Sequence, residues 1–182
     1  MKERILDATY ACVARSGLDR TTVEDAAREA GVSRATVYRW FPGGREQLLN
    51  ETIAHQVDEF FLRLAEEVAG AETFAEVVTR ALMSAHRWIA DHDVLQRLLS
   101  SEPGRLVPSI SDETSRIIPA IGRFLEPYLE RESSVPPGPA GEYVARMVLS
   151  LIGSPGRWDL DDPAQVEELV RTEILAGLLP AP

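Results

Sequence analysis

With 182 residues, 45% of them hydrophobic and 26% charged, the chain has the make-up of a soluble globular protein, large enough for one good core or for a small module joined to a larger one. Its single cysteine, Cys12, excludes an intramolecular disulfide framework and a multi-cysteine metal site, and apolar runs such as residues 148–152 are far too short to span a bilayer. The net charge of −10 argues at first against a polyanionic partner, yet residues 1–45 carry eight basic groups (Lys2, Arg4, Arg15, Arg20, Arg28, Arg34, Arg39, Arg45) against six acidic ones, so the excess acid lies in the remainder and a polyanion would be directed to one end. The opening Met-Lys-Glu-Arg leads straight into an amphipathic pattern with no hydrophobic stretch of a signal peptide, so a cytoplasmic protein is expected.

In chain order, apolar positions 5, 6, 9, 10 and 13 have helical spacing over residues 4–16, and Gly17 is placed to stop that helix. Thr21 or Thr22 can cap a short second helix, residues 23–30, with Glu24 or Asp25 near the third helical position as in a capping box. It ends at Gly31. Ser33 caps a third helix, about residues 34–40, broken by Phe41-Pro42-Gly43-Gly44. A long fourth helix is predicted over 45–69, and a fifth from Thr73 to about Ala90. A short sixth begins at Asp91 or Asp93 and runs through Leu99. Glu102-Pro103-Gly104 and Val107-Pro108 read as a loop, followed by a helix over 111–131 that Pro119 should kink or start. Pro136-Pro137-Gly138-Pro139 reads as a rigid break before two last helices, 140–153 and 163–178. Asp162 with Pro163 is a start signal for the second of them. No stretch alternates with period two, so no sheet is expected.

The segment 22–40 has the spacing of a helix-turn-helix. Val23, Ala26 and Ala27 pack the first helix. Gly31 takes the sharp turn with positive φ. Val32 plugs the angle, while Val37 and Phe41 face inward. That leaves Arg34, Ala35 and Thr36 projecting from the N-terminal end of the second helix. Arg34 and Thr36 can bond base edges or phosphates, and Ala35 permits close approach. Tyr38, Arg39 and Trp40 can reach the flanking backbone.

The run from Thr21 to Pro42, with Ala-Gly-Val-Ser followed by Thr-x-Tyr-x-x-Phe-Pro, resembles the DNA-binding signature of the TetR family of transcriptional regulators. The likeness is close over about residues 4–52. It implies an all-α fold of about nine helices, with residues 1–46 a three-helix DNA-binding domain and 47–182 an effector-binding and dimerisation domain. By the same resemblance Thr22, Tyr38 and Arg45 would touch phosphates, Arg34, Ala35 and Thr36 would lie in the major groove, and Ser33, Arg39 and Trp40 complete the expected DNA-binding set. Gly43-Gly44 adds one residue to the family's usual spacing before Arg45. No long basic arm precedes the first helix, so a modest salt dependence is expected.

In the family the last two helices pair with those of a partner. Here Val144, Met147, Val148 and Leu151 on one helix, with Val166, Leu169, Val170 and Ile174 on the other, are the expected homodimer face. Met83, His86, Arg87, His92, Phe124, Tyr128 and Met147 are the candidate effector contacts, a set suited to an apolar or aromatic molecule. His55, His86 and His92 lack metal-site spacing, and the acidic stretch at 159–162 lacks the glycine and final Glu of a calcium loop. No phosphate loop or nucleophile motif is present, so neither enzyme, cofactor nor metal is expected. The reading is a ligand-responsive repressor: a homodimer on palindromic double-stranded operator DNA, released by a small-molecule effector and without membrane contact. The alternative is an all-helical small-molecule-binding or enzymatic protein with a vestigial helix-turn-helix.

Overall fold

The structure, a computed structural model, describes residues 1–133 and 135–178. Among these residues it is all-helical, with nine α-helices and no strand: α1 Lys2–Ser16, α2 Val23–Glu29, α3 Arg34–Trp40, α4 Gly44–Val68, α5 Phe74–Asp91, α6 Asp93–Ser101, α7 Pro103–Glu132, α8 Pro137–Gly153 and α9 Pro163–Leu169. A π-helical turn, Val170–Ile174, follows α9. The expected last helix over 163–178 is therefore shorter as an α-helix, although Asp162 caps it as read, accepting from Ala164 N–H at 3.0 Å.

The helices start where local chemistry lets them. Thr22 and Asp25 form a complete capping box at α2, with Asp25 N–H on Thr22 Oγ1 at 3.1 Å and Thr22 N–H on Asp25 Oδ2 at 3.2 Å. Ser33 Oγ accepts from Thr36 N–H at 3.1 Å and caps α3. Two breaks expected from proline and glycine are helix instead. Glu102 alone separates α6 from α7, and Pro103 holds the first helical position, where a missing N–H costs nothing. Leu106 is buried on the first turns of α7, and the helix continues through Pro108, Pro119 and Pro127. Likewise Pro137, Gly138 and Pro139 form the first turn of α8.

The chain forms two compact units. Residues 1–61 and 92–113 make the first, so the expected division at 46/47 falls inside α4, and α6 with the start of α7 joins the N-terminal helices. One apolar cluster unites α1, α2, α3 and the head of α4 through Ile5, Leu6, Val23, Ala26, Val37, Phe41 and Leu48. A second joins Val13, Leu18 and Leu49 to Leu98 and Leu106. Beside it, Glu102 Oε2 accepts from Asp19 N–H at 2.9 Å, and Arg105 reaches Glu46 at 2.9 Å. Among the described residues, 62–91, 114–133 and 135–178 make the other unit. Its core brings Phe74, Val77, Val78 and Leu82 of α5 against Leu125, Leu129, Val144, Leu151, Val166, Leu169 and Ile174.

The turn between α2 and α3 closes by two reverse bonds, Val32 N–H to Ala27 C=O at 2.9 Å and Gly31 N–H to Arg28 C=O at 3.1 Å, the pattern that needs a left-handed residue after the helix. Gly31 supplies it with φ +63°, and Gly44 does the same with φ +68° at the head of α4. The second glycine of Gly43-Gly44 is thus the residue that lets the chain turn into α4. Gly31→Ala is expected to cost about 1–2 kcal/mol, the penalty of a left-handed non-glycine residue, with Gly44→Ala of similar size. Chemical denaturation against wild type checks both.

Candidate nucleic-acid interface

α3 has seven residues, and two anchors orient it. Val37 is 1% exposed and Phe41, just beyond its end, is 0% exposed. Both lie in the cluster shared with α1, α2 and α4. With that side of the helix inward, the other side must face solvent. Ser33, Arg34, Ala35 and Arg39 are exposed, and Thr36 is half-buried. Tyr38 and Trp40 are 43% and 42% exposed, an unusual placement for large aromatic side chains on a short helix. Thr22 is exposed at the start of α2. The structure therefore exposes seven of the nine expected residues on one small module and leaves Thr36 and Arg45 half-buried.

Their electrostatics are mixed. Arg34 Nη1 lies 2.6 Å from Glu24 Oε1 of α2. The Thr22 hydroxyl donates to Asp25 Oδ2 at 2.6 Å; this bond first, and Arg28 next, hold the Asp25 carboxyl below its usual range. Since that carboxyl is favoured in its charged form when folded, its help to the α2 cap is present above the ordinary Asp range and is lost as pH falls through the lowered value. Among the described residues Arg39 has no ion-pair partner, so its charge is available to an incoming anion.

Arg45 departs from expectation. Its Nε donates to Thr21 C=O at 2.8 Å, and its Nη2 donates to Leu18 C=O at 2.6 Å and Asp19 C=O at 2.9 Å. Nη1 bonds Glu46 at 2.7 Å. Four of five guanidinium hydrogens are thereby committed, three to the loop before Thr22. The residue expected on a phosphate is a clamp for the α1–α2 loop. Arg4, which spacing did not single out, does parallel work: its guanidinium bonds Ala30 C=O through Nε at 2.9 Å and through Nη2, and reaches Gly31 C=O at 3.4 Å. It satisfies the carbonyls that end α2.

The body residues are redistributed too. Val144, Leu151, Val166, Leu169, Val170 and Ile174 are buried within a single chain, in the core of the second unit. They hold that unit together and present no face to a partner, which corrects their expected role. The stripe on α8 and α9 is apolar because α5 and α7 cover it. Met147 and Val148 are only partly buried. Among the effector candidates, His92 belongs to the first unit. It caps α6, its Nδ1 accepting from Leu95 N–H at 3.1 Å, and its Nε2 lies 3.3 Å from the Tyr10 hydroxyl. Met83, His86, Arg87, Phe124, Tyr128 and Met147 lie in the second unit. Phe124 and Tyr128 are neighbouring rings with centroids 6.2 Å apart, and His86 lies 3.9 Å from Asp161. Arg87 is exposed. Cys12 is 3% exposed, and burial pushes its thiol up against the opposing pull of Arg15, as suits a small core residue.

Replacing Arg45 by Ala leaves three backbone carbonyls without their charged donor, so a loss of about 1–3 kcal/mol is expected. Thermal unfolding measures it. A phosphate-contact role would instead lower DNA affinity at unchanged stability.

Comparison with known proteins places this geometry. Residues 5–52, roughly a quarter of the chain, match bacterial regulatory proteins of the tetR family. An uncharacterised HTH-type transcriptional regulator of Mycobacterium tuberculosis is 31% identical over 103 residues, covering 57% of this chain and 52% of that protein; the chain thus spans about half the length of that relative. Another from the same species is 27% identical over 175 residues, 92% of this chain and 82% of the other. Among solved structures, the transcriptional regulator FadR from Bacillus subtilis, in complex with stearoyl-CoA, superposes with a TM-score of 0.58 at 18% identity over 98% of this chain and 100% of its own. The N-terminal match, the relatives and the all-helical fold agree with one another and support a regulator of the TetR family, the family match itself lying in residues 5–52.

Proposed function

We propose that this protein is a transcriptional regulator that binds double-stranded operator DNA through α3 and is controlled by a small molecule in its second unit. The observation that carries the reading is the exposure of Arg34, Ala35, Tyr38, Arg39 and Trp40, with Thr36 half-buried, on a seven-residue helix anchored by Val37 and Phe41. A helix so built has no packing use for its outer face. It presents the donors that position a protein on phosphates and read base edges. The relatives are named HTH-type transcriptional regulators, which supports the same reading.

The regulator acts as a cytoplasmic, non-catalytic homodimer on a palindromic site, because a helix-turn-helix reads two half-sites one helical turn apart through two-fold symmetry. With six of the expected interface residues in the core, the pairing surface is the outer face of α8, where Tyr143 is 41% exposed and Met147 and Val148 are partly exposed. The effector is apolar or aromatic, contacted by residues drawn from Met83, His86, Arg87, Phe124, Tyr128 and Met147. FadR, solved with stearoyl-CoA, supports a ligand in this fold. Helices α4 and α7 each contribute residues to both units. Effector binding lowers operator affinity by shifting the population toward a form that fits DNA poorly. As a repressor it is released on effector binding. No described helix is long and apolar enough to cross a membrane.

Binding to DNA selected from genomic fragments, followed by fluorescence anisotropy over a salt series, tests the reading. Wild type is expected to bind saturably at nanomolar concentration. Arg39→Ala should weaken binding to all sequences alike and reduce the slope of log affinity on log salt by about 0.9, the share of one phosphate contact. Tyr38→Phe should weaken binding several-fold without changing that slope. Weak, sequence-independent binding by wild type with no enriched fragment would reject the regulator and leave the all-helical binding or enzymatic protein with a vestigial module.

A further inference from the structure

We propose that Glu24 is the positioning residue that sets Arg34 to read a guanine in each half of the bound DNA, an inference that rests on the DNA-binding reading above. Glu24 is the second residue of α2 and Arg34 the first of α3. Ten residues apart in sequence, they meet across the turn with Arg34 Nη1 at 2.6 Å from Glu24 Oε1. Both side chains are about half exposed, 59% and 49%. An ion pair so open to water adds little to folding, so its consequence lies in where it holds the guanidinium.

The bond uses one corner of the fork. Nη1 faces the carboxylate, while Nε and Nη2, the parallel donor edge on the other side of the plane, carry no partner among the described residues. That free edge is the one that matches O6 and N7 of guanine in the major groove, two acceptors side by side that no other base presents. A long side chain with many rotamers is thereby held in one orientation before DNA arrives, which reduces the ordering left for binding. The neighbours leave Glu24 to this task. Asp25 is occupied by Thr22 and Arg28, and Ser33 and Thr36 bond each other at 2.9 Å. Ala35, next to Arg34, is exposed and adds no bulk beside the fork.

Glu24 also has a cost that separates its role from a structural one. A carboxylate beside the recognition helix repels phosphates and so weakens binding to every sequence equally. The pair therefore trades general affinity for discrimination. Glu24 lies outside the capping box, which is Thr22 with Asp25, so neutralising it leaves the start of α2 intact.

The experiment is selection from a random-sequence duplex library with wild type, Glu24→Gln, Arg34→Lys and Arg34→Ala, followed by competition binding at every single-base change in the wild-type site. The expected wild-type site has one G·C pair per half whose replacement costs about tenfold or more, the discrimination of a bidentate arginine. Arg34→Lys keeps the charge but loses the fork, and should remove that preference while leaving binding to random DNA within about twofold. Glu24→Gln should move two readouts in opposite directions: weaker discrimination at the same position, and tighter binding to random DNA with a steeper salt dependence. If wild type enriches a site but Arg34→Lys leaves every position unchanged, or Glu24→Gln matches wild type in both readouts, the proposal is overturned while the DNA-binding reading stands. If wild type enriches no site, the DNA-binding reading fails, and this proposal with it. Circular dichroism and thermal unfolding of each variant show that the comparison is between folded proteins.

Discussion

The burial of Val37 and Phe41 is the constraint on which the rest of the N-terminal module depends. A seven-residue helix is too short to be stable alone in water. α3 exists because one side of it, extended by Phe41, is sealed into an apolar cluster with Ile5, Val23, Ala26 and Leu48. That one contact settles which residues look outward. Because helical side chains recur every three to four positions, fixing Val37 and Phe41 inward turns Ala35 and Arg39 to the opposite side, and Arg34 and Tyr38 are exposed beside them. Function at this end follows from packing, since the polar face is what remains after the apolar one is spent.

The module must also hold its turns, and here backbone carbonyls matter as much as side-chain burial. Helix ends leave carbonyls unpaired, and turns add more. Arg4 satisfies those at the end of α2, while Arg45 satisfies those of the loop before it. Both arginines therefore contribute to shape rather than to an available positive surface. Several other basic groups are tied up as well: Lys2 with Glu51, Arg15 with Glu29, Arg28 with Asp25 and Arg34 with Glu24. The basic surplus counted in the sequence of this end is thus largely paired, with surface carboxylates or with backbone carbonyls. The unpaired positive charge at this end is smaller than the charge count implies.

The elements that were legible in sequence are those that local chemistry specifies. Gly31 and Ser33 mark their turn and cap by residue type alone, the capping box was legible as Thr21 or Thr22 with Glu24 or Asp25, and α1 to α3 start and stop within two residues of the expectation. The misread elements are those where a local signal loses to tertiary context. Pro103 and Gly104 read as a loop, yet proline is at home in a first turn, and burial of Leu106 favours continuing the helix. The stripe on α8 and α9 was visible, but an apolar stripe does not say what covers it. Val144 and Val166 are covered by their own chain. The partners of Arg45 and Arg4, at sequence separations of 24 to 27 residues, leave no trace in spacing. Nor does Glu24 facing Arg34, which depends on the crossing of two helices.

These observations reduce to one claim: the outer face of α3 enters the major groove of a two-fold symmetric DNA site. Hydroxyl-radical footprinting on a selected fragment, with guanine-N7 methylation interference on the same fragment, tests it most directly. The account predicts two symmetric protected patches about 10 base pairs apart, centre to centre. It also predicts that methylation at the major-groove edge within each patch blocks binding. Binding that survives methylation at every guanine, or a single asymmetric patch, would contradict it.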